Sequence, residues 1–443
     1  MTYPEAISYL ESLIDYERTP AGAAAARLWN LDRIGHMLHE FGDPHLGLRC
    51  VHIAGTKGKG STAAITASML AAAGLKIGLY SKPHLISFRE RIRVEGKMIP
   101  EADVVSLVEQ AFPVIESLRG SELGEPSFFE AYTLLGFLYF ARERVDLAVI
   151  ETGLGGRLDA TNIVKPLICA ITRIGFDHMQ ELGDTIPQIA AEKAGIIKPG
   201  VAVISAPQSP EVLDLFQEVC LERRAQLIVV GEPGGPRVSI SSANHHRQIF
   251  TIQTAKATHA DLECHLLGPH QAENAAVAVG LIEGLAAHGI AVSAEAIRQG
   301  IESVKWPGRF EIVNRRPYLI LDGAHNAPSA EALAATLESL FSGYRIILVL
   351  GVQRGHDPEA VAVRLCPIAD RVIVTASSSP RAVPAEELQR VVYAHCRHTA
   401  AYTPVSLALR EALDQARPSD AIVVTGSLYV VGEAMQALGR EAA

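Results

Sequence analysis

Short apolar runs alternate with helical patterns from one end of this chain to the other, and that alternation constrains the fold more than any other feature. Cys50–Ala54, Lys76–Tyr80, Asp146–Glu151, Leu167–Thr172, Val201–Ser205 and Gln226–Val230 have the length and composition of strands buried on both faces. Helical segments such as Ser61–Ala73 and Phe129–Arg142 lie between them. Strands of this kind joined by helices form parallel sheets covered on both sides, so the expected class is α/β. From Glu232 to Leu267 the pattern turns to short, polar, alternating runs, which reads as a small β-rich excursion, and a helical return follows over Ala272–His288. Pro and Gly then break the periodicity at Lys305-Trp306-Pro307-Gly308-Arg309. A fresh series begins there, with strands near Tyr318–Leu321, Arg345–Leu350, Arg371–Thr375 and Ala421–Thr425. The expected division is therefore a domain over 1–304 and a smaller one over 305–443.

With 443 residues, 48% hydrophobic and 20% charged, the chain is long enough for more than one core. Forty basic against 49 acidic side chains give a formal charge of -9, a field that repels nucleic acid and anionic membranes. Any anionic substrate must be caught by a local cluster of cations. Met1–Ile14 carries Glu5 and Glu11 on a helix-like spacing and lacks the plan of a signal peptide. Its longest apolar stretches, such as Ala63–Ala73 and Ala275–Leu285, are shorter than the roughly 20 residues of a membrane span. A cytoplasmic protein is expected. Cys50, Cys169, Cys220, Cys264, Cys366 and Cys396 are scattered without a CxxC pair, which argues against a zinc cluster or a disulfide framework. They read as small buried hydrophobes.

The strand Cys50–Ala54 runs into Gly55-Thr56-Lys57-Gly58-Lys59-Gly60-Ser61, which opens a helix. Glycines let backbone N–H groups approach an anion, the helix N-terminus adds partial positive charge, and a lysine reaches the outer phosphates. The loop departs from G-x-x-x-x-G-K-[ST], because Gly60 separates Lys59 from Ser61 and Ile53 stands at the first glycine. Alone, it reads either as a phosphate cradle or as a glycine-rich turn with solvated lysines. A second cluster, Glu151 to Asn162 (ETGLGGRLDATN), begins where another strand ends. Ligands of open α/β sheets sit at such ends, so Glu151 either holds Mg²⁺, which prefers oxygen ligands and bridges phosphates, or caps a helix. His178, in Gly175-Phe176-Asp177-His178 after a third strand, is either a ligand or a hydrogen-bonded structural residue. In Asp322-Gly323-Ala324-His325-Asn326, Asp322 can accept from a ribose while His325 and Asn326 hold a polar substrate, or Asn326 caps a helix. Arg309 either swings against phosphates on domain closure or stands exposed on a hinge.

In this order, the strings resemble the folylpolyglutamate synthase and dihydrofolate synthase family of the Mur ligase superfamily. The resemblance spans almost the whole length, through GTKGKGS, Pro83-His84-Leu85, Phe128-Phe129-Glu130, ETGLGGRLDATN, GFDH, EKAGIIKPG, His270-Gln271-Ala272-Glu273-Asn274, WPGRFEIV, DGAHN and Thr425-Gly426-Ser427-Leu428-Tyr429. It implies an N-terminal P-loop ATPase-like domain with a mostly parallel sheet and a small β-rich excursion, and a smaller C-terminal Rossmann-like α/β domain. The active site would lie between them. The implied chemistry uses ATP and Mg²⁺ to phosphorylate a pterin-linked carboxylate, from which the amine of L-glutamate displaces phosphate. Dihydropteroate and reduced folates are both compatible acceptors, and a monomer is implied.

By the same resemblance, Gly55, Thr56, Lys57, Gly58, Lys59, Gly60, Ser61, Asn274, Arg309 and Asp322 would bind ATP. Glu151 and His178 look like Mg²⁺ ligands. Lys59, His178, Lys82 and Lys193 form the implied catalytic set, and Lys193 matches a lysine that the family carbamylates. Phe129, Glu130, Leu158, Asp159 and Ala160, with Ser127 and the stretch Leu28–Leu31, match the surroundings of the pteridine, and His325 and Asn326 would face substrate. Two positions depart from the family. Lys57 stands where most bacterial members carry Asn. Lys82 stands where the family usually has a Ser that binds Mg²⁺, and an ammonium has no lone pair to offer a metal. Either Ser81 and water take the metal, or the ammonium of Lys82 replaces part of its charge on the phosphates; the second is the expectation. A cell-wall Mur ligase would need a nucleotide-sugar domain within the 54 residues before Gly55. An inactive ATP-binding scaffold or a pure NTPase switch leaves Lys193 or the DGAHN turn without a use.

Overall fold

A computed structural model describes residues 1–14 and 29–441. Its largest sheet has the order β4-β3-β2-β5-β1-β6-β7-β8. The strands are β1 (Cys50–Ala54), β2 (Ile77–Tyr80), β3 (Ile92–Val94), β4 (Lys97–Met98), β5 (Leu147–Glu151), β6 (Ile168–Ile171), β7 (Val203–Ser205) and β8 (Leu227–Val229). From β2 to β8 across the sheet every pairing is parallel, and only the edge pairings β2–β3 and β3–β4 are antiparallel. Side chains of a strand alternate between faces. In β1, Val51 and Ile53 enter the core formed with the helices Lys59–Ala72, Pro269–Leu285 and Ala294–Ser303. Cys50 enters the opposite core, with the helices Tyr3–Ser12, Glu101–Ser117 and Phe128–Glu143. Both faces are covered, which is why these strands read as continuous apolar runs.

The polar excursion forms a separate antiparallel sheet, β9 (Arg237–Ala243), β10 (Gln248–Gln253) and β11 (Thr258–Cys264). A third sheet has the order β12-β13-β17-β14-β15-β16, from β12 (Glu311–Arg315), β13 (Tyr318–Leu321), β14 (Ile346–Leu350), β15 (Arg371–Val374), β16 (Thr399–Ala401) and β17 (Ala421–Thr425). It is parallel except for β12. The mixed α/β class read from the sequence is the observed one. The helix after β1 starts at Lys59, two residues before the expected Ser61, so Lys59 is its first residue and Lys57 stands just before its N-cap, Gly58. The β3–β4 hairpin is absent from the sequence expectation because Arg93, Glu95 and Lys97 interrupt its apolar run. Charged residues suit an exposed sheet edge, and Glu95 and Gly96, both at positive φ, make its two-residue turn. All six cysteines are free and buried. Among the described residues no helix is long and apolar enough to cross a membrane.

His52 interrupts the apolar β1 and is fully buried. Its Nε2 lies 2.8 Å from Thr161 Oγ1, and Nδ1 has no partner. Burial pushes its pKa from 6.5 down to about 3. The unfolded chain therefore binds a proton below pH 6.5 that the folded chain refuses, so stability falls as pH drops through that window, by about 1.4 kcal/mol per pH unit for one such group. Thermal midpoints measured from pH 7 to pH 4 should decline, and His52→Leu should make the decline shallower.

Candidate active site

The C-terminal ends of β1, β5 and β6 in one sheet, and of β13, β14 and β17 in the other, open onto one cleft of about 2200 Å³. β1 is followed by β2 on one side of it and β6 pairs on the other, so this is a point where strand order reverses, a usual ligand position in α/β sheets.

The phosphate-loop candidates Gly55 to Ser61 all line the cleft. Thr56 and Lys57 donate their N–H groups to the Arg173 carbonyl at 2.9 and 3.1 Å. Gly55, at φ 144, packs against Thr172 with no room for a Cβ. Gly58, at φ 91, caps the helix and lies against the side chain of Asn274. Those contacts explain the glycines, and they leave Lys59 half-buried beside Glu151, which opposes the lowering of its pKa by desolvation. Asn274, Arg309 and Asp322 line the same cleft. Asp322 is mainly an organiser of the chain: its Oδ2 accepts from Phe310 N and its Oδ1 from Ala324 N, both at 2.8 Å, which pins the Trp306–Arg309 linker to the end of β13. Arg309 is a half-buried arginine rather than an exposed one on a hinge, its charge opposed to Asp322 and Glu151.

Glu151 is 3% exposed, and its Oε2 accepts the Lys82 N–H at 3.2 Å; it caps no helix. Burial raises its pKa, with Lys59 pulling the other way. A buried carboxylate that would rather be protonated favours an added cation, and His178, which lines the same cleft with its side chain 41% exposed, offers a ring nitrogen when deprotonated. Glu151 and His178 thus fit a magnesium site by their chemistry. Ser81 is buried at the end of β2 and lines neither cavity of the site. Lys193 is buried in the lining of the cleft, and burial lowers its pKa to about 7.

Lys57 does not simply face the loop. Its ammonium donates to Asp177 Oδ2 at 3.0 Å and to His325 Nε2 at 3.1 Å, while His325 Nδ1 donates to the Gly323 carbonyl at 2.7 Å. Asn326 caps the helix Ala327–Leu340 and also donates Nδ2 to Asp177 Oδ2 at 3.3 Å. The expected substrate residues His325 and Asn326 therefore bridge the two sheets through Lys57 and Asp177. Asp177 was missed by sequence reasoning, although it stands next to His178 in GFDH.

A second cavity of about 680 Å³ adjoins the cleft. Phe129, Glu130, Leu158, Asp159 and Ala160 line it, with Ser127. Trp29 and Asn30 also line it, whereas Leu28 lies outside the described residues. Glu130 is fully engaged: Oε1 takes Arg33 Nε at 2.9 Å, and Oε2 takes Ser127 N and Oγ at 2.8 and 2.7 Å, capping the helix Phe128–Glu143. Arg33, for which no motif gave a signal, is thereby fixed in the wall. Glu130→Ala should cost roughly 3–5 kcal/mol, because it leaves that guanidinium buried without its carboxylate, and chemical denaturation would measure it. Asp159 folds its loop by accepting from Leu154 N at 2.7 Å and from Thr161.

The Mur ligase middle domain family matches residues 53–282, and the Mur ligase glutamate ligase domain family matches 308–428. The dihydrofolate synthase/folylpolyglutamate synthase of Bacillus subtilis is 38% identical over 367 residues, 81% of this chain and 83% of that protein. A probable bifunctional folylpolyglutamate synthase/dihydropteroate synthase of Haloferax volcanii is 36% identical over 98% of this chain, which spans only 50% of that protein. The solved structure of Escherichia coli FolC in complex with DHPP and ADP superposes with a TM-score of 0.85 at 30% identity, over 99% of this chain and 98% of that one.

Proposed function

Because this chain belongs to the folylpolyglutamate synthase/dihydrofolate synthase family of Mur ligases, we propose that its cleft joins L-glutamate to the carboxylate of a folate or dihydropteroate, driven by ATP. The observation that carries the reading is the meeting of a phosphate loop and an aromatic-walled cavity along one short shared wall.

The loop Gly55–Ser61 and Lys59 hold the phosphates, with Asn274 and Arg309 beside them. The acceptor lies against Phe129 with its carboxylate toward the shared wall. A carboxylate oxygen attacks the γ-phosphorus, the bond to the β–γ bridging oxygen breaks, and ADP leaves. The uncharged amine of glutamate then attacks the acyl carbon, the bond to the phosphate oxygen breaks, and the nitrogen releases its extra proton to water. Holding both partners in register replaces encounters in solution, and fixed cations offset the charge of the phosphates. Mg²⁺, held by Glu151 and His178, would add charge neutralisation on the phosphates. The free amine of Lys193 is the form that carbamylation requires. Lys57, Asp177, His325 and Asn326 keep the glutamate side of the cleft against the phosphate loop. We take the enzyme as a cytoplasmic monomer without nucleic-acid or membrane partners, its halves divided near residue 304.

Protein incubated with ATP, Mg²⁺, L-glutamate and either dihydropteroate or tetrahydrofolate should yield a product longer by one glutamyl unit by mass spectrometry. No product from either acceptor would overturn the reading.

A further inference from the structure

Lys82, Gly153, Leu154 and His178 line both cavities, and Lys82 brings an amine-tipped side chain to that shared wall. Its main chain is fixed by the N–H bond to Glu151. Its ammonium lies 5.8 Å from the centroid of the Phe129 ring, on the acceptor side of the shared wall. Among the described residues, Arg33 also lines the acceptor cavity and is engaged by Glu130 and by the Leu123 carbonyl at 3.0 Å. The cavity's own carboxylates, Glu130 and Asp159, are buried and accept from protein donors. A flat aromatic molecule lying on Phe129 therefore has the Lys82 side chain beside it where the cavity opens toward the phosphate loop. That is where a terminal carboxylate would have to stand to reach the γ-phosphate.

We propose that Lys82 binds the carboxylate of the acceptor at the wall between the two cavities, and so selects pterins that carry a carboxylate over pterins that lack one. The proposal rests on the ligase reading above and moves the emphasis for Lys82 from the phosphates to the acceptor. An ammonium offers three rotatable donors on a flexible stem, which suits an anion that must be held and then passed to phosphorus.

The test measures binding of dihydropteroate and of 6-hydroxymethyl-dihydropterin, a carboxyl-free probe, to the full-length protein by titration calorimetry with a non-hydrolysable ATP analogue present. Lys82→Met should weaken dihydropteroate by about 10- to 100-fold, the worth of one hydrogen bond to a charged group, and should change the carboxyl-free probe less than about 2-fold. Lys82→Arg should recover part of the loss. Equal losses for both probes, or no loss for dihydropteroate, would overturn the proposal. Product formation by the unmodified protein, assayed in parallel, separates that failure from a failure of the ligase reading, and an unchanged thermal midpoint of the Met variant with ADP shows that it folds.

Discussion

Lys59→Met should lower kcat/KM for ATP by about a hundred- to a thousandfold while the protein stays folded, its thermal midpoint within a few degrees of the parent. The range is that measured when one preorganised charge-stabilising donor is removed from a desolvated site. Lys59 is the first residue of the helix Lys59–Ala72, where unpaired backbone N–H groups already favour an anion, and it stands half-buried beside Glu151. Methionine keeps the stem that fills the space and removes only the charge. Steady-state kinetics with ATP varied, together with a melting curve, decide the outcome; a variant with full turnover would remove Lys59 from the chemistry.

Gly195→Ala should cost both fold stability and turnover, although Gly195 touches no substrate cavity. Its φ of -57 is open to any residue, so conformational freedom does not explain it. Close approach does. A Cβ there would collide with the Arg157 backbone, 2.8 Å from its nitrogen, and one at Gly156 would stand 2.8 Å from the Glu192 carbonyl oxygen. The two glycines let the loop after β5 lie directly on the helix Ile186–Ala194, sealed by Arg157 N–H to the Glu192 carbonyl at 2.7 Å and by Asn162 Nδ2 to the Gly195 carbonyl at 3.2 Å. That contact sets where Lys193 stands relative to Glu151. Backbone cannot yield as a side chain can, so about 1–3 kcal/mol of destabilisation is expected, with a loss of turnover beyond what the fraction unfolded explains. Denaturant titration and kinetics on the same sample separate the two effects.

The fold was largely legible because β1, β5 and β6 are buried on both faces and their sequences record it as unbroken apolar runs. The β3–β4 hairpin was not, since an edge strand needs no such run. In the site, the phosphate loop, Glu151 and Asp159 could be found because they follow strand ends with little chain between. Arg33 and Asp177 act through partners far away in sequence, Glu130 at 97 residues and Lys57 at 120, and no spacing announces such pairs. Lys57 shows the limit from the other side. It belongs to the glycine loop by position, yet its ammonium is committed to Asp177 and His325.

The central claim is that the acceptor's carboxylate is phosphorylated before the amide forms. Dihydropteroate carrying heavy oxygen in its carboxylate, turned over with ATP and L-glutamate, tests this by mass spectrometry of the released phosphate. The account predicts one heavy oxygen transferred from the carboxylate to each phosphate; phosphate without label, alongside normal product, would contradict it.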